Sequence, residues 1–320
     1  MARSKLTLRR SAVLALVAFA IACGESEPAP PAEPLGEGTE AGGTGGEIPT
    51  FEQNFVFANV SGDSVFLVPW LIRSASLPEG VRREARGWLA RSGTWDAFYA
   101  EEWTTPPSRA PGRFLPFGDM QLLVQEGGIV DGIIFDDGTR NLELVLGEVQ
   151  SSWGGPRGET VEILEGSAFL AEERVDGVVI HLARASADSG APGGDWAVLM
   201  SGDSVSVILS ADSEHGGDVE PLYRGWADLD GTGLQWPELH VEWTATQAFP
   251  PARRDVPASW RVWSDNGTLE GELHAISSEM QPGSGPGPLL PVRALFEVVG
   301  EISTSAGDFP IHGLLVHERR

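Results

Sequence analysis

The chain has 320 residues and a formal net charge of −24, with 46 acidic and 22 basic side chains. That much negative charge excludes a nucleic-acid partner and an anionic lipid surface. The length accommodates two domains of ordinary size.

The N-terminus reads as a leader. Arg3, Lys5, Arg9 and Arg10 precede an apolar run from Ala12 to Ala22, too short to span a bilayer. The run ends in Ala20-Ile21-Ala22-Cys23-Gly24 and resembles a bacterial lipobox. The pattern implies a signal peptide over 1–23 and lipid attachment at Cys23. It therefore predicts a cell-envelope lipoprotein, at the outer membrane and facing the periplasm or the surface. Cys23 is the only cysteine, so no disulfide forms within the chain. Residues 24–48 are Pro, Gly, Glu and Ala with little to bury, and read as a disordered tether.

Beyond the tether, one stretch occurs twice. Ser61-Gly62-Asp63-Ser64-Val65 returns as Ser201-Gly202-Asp203-Ser204-Val205. Arg86-Gly87-Trp88 returns as Arg224-Gly225-Trp226, and Glu102-Trp103-Thr104 as Glu242-Trp243-Thr244. Further on, Leu144–Val149 parallels Glu297–Ile302, and Glu165–Phe169 lies opposite His312–Val316, with a Pro/Gly insertion near Gln281–Pro291 in the second copy. Collinear matches of this kind predict an internal duplication. The copies are placed at 49–174 and 175–320.

Both copies alternate with period two, and Gly, Asp and Pro turns separate the runs, as at Asp136-Asp137-Gly138 and Asp265-Asn266-Gly267. Leu77–Arg91 has the apolar spacing of a helix. Its counterpart, Val219–Asp230, contains Pro221 and a Gly-rich turn, so strand is predicted over Ala85–Ala90. The fold class expected is all-β, two tandem antiparallel barrels of about eight strands each.

The second copy resembles a lipocalin-like family through several landmarks. These are Gly194-Asp195-Trp196, Asp203, Tyr223–Gly231, Trp243, Val256–Arg261, and Leu295-Phe296 to Gly313 and His317. The family is that of AttH-like proteins and carotenoid 1,2-hydratases (hydroxyneurosporene synthases). It implies two lipocalin-like barrels in tandem. In the active hydratases a Gly-x-Ala-aromatic strand runs into a His-x-Trp pair. Here Gly166-Ser167-Ala168-Phe169 runs into Ala171-Glu172-Glu173-Arg174, so no hydratase residue is carried over.

The chemistry-bearing residues are sparse. The histidines are His181, His215, His240, His274, His312 and His317; no two stand two or four apart, so no metal site and no cofactor is expected. His312 and His317 fall on opposite faces of one strand, and solvent exposure is expected of both. Asp228-Leu229-Asp230-Gly231 has the start of a calcium loop, but Leu239 stands where the twelfth-position Glu belongs. No Gly-x-Ser-x-Gly elbow or phosphate-binding loop is present. Glu102 and Glu242 are expected outward, with Trp103 and Trp243 inward.

Eleven Trp stand against two Tyr. Trp103, Trp196, Trp243 and Trp260 are the residues predicted to point into the barrels, filling them or lining an apolar ligand site. The expected function is binding or carrying an apolar small molecule or lipid. The alternatives are a hydratase or isomerase acting on an isoprenoid-like substrate and a structural envelope lipoprotein.

Overall fold

A computed structural model describes residues 49–61, 64–126, 129–155, 158–186, 194–202, 205–212 and 221–319. The predicted leader, Cys23 and the tether lie outside them. Seventeen strands and one 3-10 turn make up the described fold. The first half holds β1 (Thr50–Ser61), β2 (Ser64–Leu77), β3 (Gly80–Arg91), β4 (Thr94–Thr105), β5 (Met120–Val124), β6 (Val130–Asp136), β7 (Asn141–Gly154), β8 (Thr160–Leu170) and β9 (Glu173–Ser186). The second holds β10 (Trp196–Ser201), β11 (Val205–Ala211), β12 (Tyr223–Leu229), β13 (Thr232–Phe249), β14 (Arg254–Trp263), β15 (Leu269–Pro282), β16 (Val292–Thr304) and β17 (Gly307–Arg319). The helical spacing near Leu77–Arg91 loses to the sheet: β3 pairs on both sides, with β2 and with β4.

Strands β10–β17 close into a barrel, with β10 bonded to β17. The first half is a nine-stranded curled sheet in which β1 bonds β9, while β4 and β5 form its two ends. The barrel expected there is open at this one seam. The linking segment explains why. Residues 106–119 contain Pro106, Pro107, Pro111 and Pro116, which cannot donate to a ladder. The segment turns inward instead. Gln53 Nε2 donates to the Gly112 carbonyl at 3.0 Å, Tyr99 Oη donates to the Phe117 carbonyl at 2.6 Å, and Phe117 stacks on Trp103.

Because β9 belongs to the first sheet, the boundary between the copies falls after Ser186 rather than at 174. The repeat also aligns differently at its end. Gly177-Val178-Val179-Ile180-His181 in β9 is the counterpart of Gly313-Leu314-Leu315-Val316-His317 in β17. Register establishes this: Ala58 faces Val178 and Phe57 faces Val179, while Val198 faces Leu314 and Ala197 faces Leu315. Glu165–Phe169 lies in β8, one strand away from the expected position, and so does Leu144–Val149 in β7 relative to Glu297–Ile302 in β16. The repeated pentapeptide hides a second difference. Ser61 faces Ser64 in the first hairpin, whereas Ser201 faces Val205 in the second. One extra residue between strands moves the inward side chains by one position, so Phe66 and Val68 face the first interior but Val205 and Val207 face the second.

The paired glycines have a steric reason. A Cβ on Gly177 would stand 2.4 Å from the Ala58 carbonyl oxygen, and one on Gly313 2.0 Å from that of Val198. Both obstacles are backbone and cannot swing aside. Gly313→Ala and Gly177→Ala are each expected to destabilise the fold by about 2 kcal/mol or more. The midpoint of urea unfolding, followed by tryptophan fluorescence, checks both.

Three apolar cores result. One lines the closed barrel, around Leu199, Leu209, Trp260 and Phe296. One fills the open barrel, around Phe57, Trp70, Phe98 and Ile133. The third lies between the two halves and includes Val56, Trp88, Ile180, Trp196, Trp226 and Val316. This third core explains why β10 and β11 are buried on both faces.

A polar ladder borders the interface. Arg184 bonds Glu52, and Glu52 bonds Arg73. Arg73 bonds Glu318 across the interface, Glu318 Oε1 accepts from Arg293 Nε at 2.6 Å, and Glu84 of β3 accepts from Arg293 and Arg86. Arg86 continues to Gln281 of β15 at 2.8 Å. Burial pushes Glu318 and Glu84 up. The flanking arginines outweigh it and hold both at about 2. A second bridge joins Arg224 of β12 to Glu159 at 2.9 Å.

Candidate functional site

The second barrel carries an unusual group in its apolar wall. Asp195 immediately precedes β10, Tyr223 opens β12, and His317 lies near the end of β17. Strand alternation fixes the direction of His317: Leu315 packs in the barrel core, whereas Leu314 and Val316 face the interface. All three polar residues are buried, His317 completely.

His317 Nδ1 lies 2.7 Å from Asp195 Oδ1. A carboxylate only accepts, so Nδ1 carries a proton and Nε2 is the ring nitrogen left to exchange one. The Tyr223 hydroxyl also bonds Asp195, and burial, reinforced by the Asp195 charge, pushes it well above its ordinary pKa. Tyr223 therefore stays protonated and donates. Asp195 thus gathers two donors. His317 Nε2 is buried and has no hydrogen-bond partner among the described residues. Trp243 stands edge-on to the imidazole with centroids 5.2 Å apart, and the Arg319 guanidinium lies 5.9 Å from the Trp243 ring. An unpaired buried imidazole nitrogen is costly, and such groups concentrate where a ligand or a proton transfer uses them.

The first copy keeps the histidine and changes its surroundings. His181 occupies the place of His317, and Phe55 that of Asp195. Phe55 stacks on His181 with centroids 4.4 Å apart. The carboxylate comes from β8 instead: Glu162 Oε2 lies 2.9 Å from His181 Nδ1, and this bond lowers the Glu162 pKa despite partial burial.

The predicted tryptophans divide. Trp260 is fully buried in the second barrel and meets Phe296 edge-on at 5.4 Å; Trp243 packs against the same core. Trp103 packs against the core of the first barrel. Trp196 points the other way, into the core between the halves, because its inward neighbours on β10 are Ala197 and Leu199. The structure thus brings Trp243 beside His317 and sets Trp103 in the other half. Glu102 is exposed, as its alternation with Trp103 requires.

Solvent exposure of His312 and His317 is overturned: both are buried. His312 Nε2 lies 2.9 Å from Glu297 Oε1, Ser277 Oγ donates to Glu297 Oε2 at 2.7 Å, and Trp95 Nε1 of the first sheet donates to Ser277 at 2.9 Å. His312 is therefore part of the interface. At the far end of the closed barrel, Glu238, His240 and Asp265 place ligand-type atoms within 4.8 Å of one another. The signal for this group is the Glu-x-His spacing on β13, which puts two side chains on one strand face; a search for paired histidines passes over it.

No family model and no curated protein matches the chain. Solved structures do. The chain is similar to an AttH candidate from Nitrosomonas europaea at 11% identity, over 85% of this chain and 93% of that one, with a TM-score of 0.52. It is similar to kievitone hydratase from Nectria haematococca at 11% identity, over 85% and 88%, with a TM-score of 0.50. The fold is thus the paired lipocalin-like barrel of AttH-like proteins, as the sequence landmarks imply. At such identities the likeness concerns the fold.

Proposed function

We propose that the second barrel receives an apolar small molecule and that His317 exchanges a proton with it. The reaction class is addition of water to a carbon–carbon double bond, or the reverse. The buried His317–Asp195–Tyr223 group carries this reading. In the forward direction the Nε2–H of the imidazolium gives its proton to one alkene carbon, whose π pair forms the new C–H bond. Water oxygen bonds to the cationic carbon left beside it and returns one proton to Nε2, so no redox partner is needed. Asp195 offsets the charge on the imidazolium, and the apolar wall strengthens that attraction by excluding water. The name of one protein of the same fold, kievitone hydratase, agrees in reaction class. A carrier without chemistry is the second reading, favoured by Trp243 and Trp260 in the same interior. Lipid attachment at Cys23 would hold either activity at a membrane of the cell envelope.

The test combines two measurements. Native mass spectrometry of the purified protein, before and after solvent extraction, detects a co-purifying apolar molecule. Incubation of that molecule class in oxygen-labelled water then reads hydration directly. Label incorporation that drops about 100-fold or more in His317→Gln supports the reading. A bound molecule that is never hydrated leaves the carrier.

A further inference from the structure

Arg83 sits on β3 with its side chain toward the interior of the first barrel, on the same face as Ala85, and is only 4% exposed. Its Nε donates to Thr105 Oγ1 at 3.1 Å and its Nη1 to the Arg113 carbonyl at 2.6 Å. Both acceptors are neutral. Among the described residues no carboxylate lies within 4.0 Å of Arg83, and burial alone lowers its pKa. A buried guanidinium without a counter-charge is costly.

The same residue lines a cleft of about 280 Å³ at the barrel mouth, together with Thr50, Phe51 and Ser74. Three carboxylates also line it, and each is engaged. Glu52 bonds Arg73 and Arg184, Glu84 bonds Arg86 and Arg293, and Glu102 lies 3.9 Å from Arg82. The cleft sets Arg73, Arg82 and Arg83 against Glu52, Glu84 and Glu102, and of these six only Arg83 has no ion-pair partner among the described residues. Within the cleft the apolar surface beside Arg83 is the ring of Phe51 and the methyl of Ala75; the hollow behind, toward Trp103 and Phe114, is only about 10 Å³.

We infer that this mouth is a binding site for a small carboxylate with a short apolar tail, its head group on the free N–H groups of Arg83 and its tail in the cleft against Phe51. A planar guanidinium fork suits a carboxylate, which would supply the counter-charge that Arg83 lacks. The site lies in the other half of the molecule from His317 and does not rest on the function proposed there.

Isothermal titration of the intact protein with hexanoate tests it, with hexanol and inorganic phosphate as companions. Hexanoate is expected to bind saturably and hexanol not at all. Arg83→Lys keeps the charge and loses the fork, and is expected to weaken hexanoate by about tenfold or more. Arg261→Gln, on the exposed outer face of the second barrel, is expected to leave it unchanged. In the wild-type protein the NMR signal of the Arg83 Nε–H is expected to shift with the same midpoint, a readout that stands even if the lysine variant does not fold. Equal affinity in a folded Arg83→Lys variant, absence of saturation, an unmoved Arg83 signal, or binding of phosphate in place of hexanoate each overturns the assignment.

Discussion

Glu318→Gln is expected to destabilise the protein by about 3 kcal/mol and to change the way it responds to acid. Glu318 is the carboxylate on which Arg73 and Arg293 converge from the two halves. Removing one member of a buried charged network leaves the others without their counter-charge, which costs about 3–5 kcal/mol. Arg73 keeps Glu52 and Arg293 keeps Glu84, which places the expectation at the lower end. The acid response follows from linkage. The folded protein holds Glu318 and Glu84 at about 2, below the ordinary 4.5. A depressed carboxylate contributes stability that is complete above its unfolded pKa and is lost as pH falls toward its folded pKa. Wild-type stability should therefore decline between pH 4.5 and about 2, and the decline should be shallower in Glu318→Gln. Urea midpoints across that range, read by circular dichroism, decide the matter; parallel curves would mean that Glu318 is not depressed.

Asp195→Ala is the second large effect. It leaves the His317 Nδ1–H and the Tyr223 hydroxyl buried without their acceptor. Each orphaned donor costs about 1–3 kcal/mol, so a loss of about 3 kcal/mol is expected. Asp195→Asn retains a carbonyl that can accept from one donor, and should cost roughly half as much. The pair of variants also separates roles. If Asp195 only maintains the fold, Asp195→Asn keeps any hydration activity; if it supports a charged His317, activity falls while the variant stays folded.

Much of the architecture was legible. Alternation and turn chemistry predict the strands, and the duplication predicts that Ala85–Ala90 is extended against its own helical spacing. Three features were not. The open seam depends on the four prolines of residues 106–119, which read as a loop without saying that the barrel stops pairing there. The interface was masked because its strands look like ordinary core: Trp196–Met200 is apolar at every position, and the second buried face belongs to a partner 140 residues away. The histidine site was the most concealed. His317 is followed by Glu318 and Arg319, so its neighbourhood reads as a polar tail. Those charges are there because they meet Arg73, Arg293 and Trp243. The Gly-x-x-x-His match between β9 and β17 was present in the sequence and would have paired His181 with His317. Pairing Glu165–Phe169 with His312–Val316 obscured it.

The core between the halves has a property beyond its size. Trp88 and Trp226 both enter it, as do Val56 and Trp196, Ala58 and Val198, Val178 and Leu314, and Ile180 and Val316. These are matching positions of the two copies. Each half therefore offers the other the same patch that it receives, the self-complementary arrangement of a two-fold dimer. A single ancestral barrel with such a patch would have associated with its own twin. Within one chain such an encounter is intramolecular, and the two copies need not remain alike. Asp195 in one copy and Phe55 in the other, Arg83 in one and Pro221 near its place in the other, are differences that a symmetric pair could not have held.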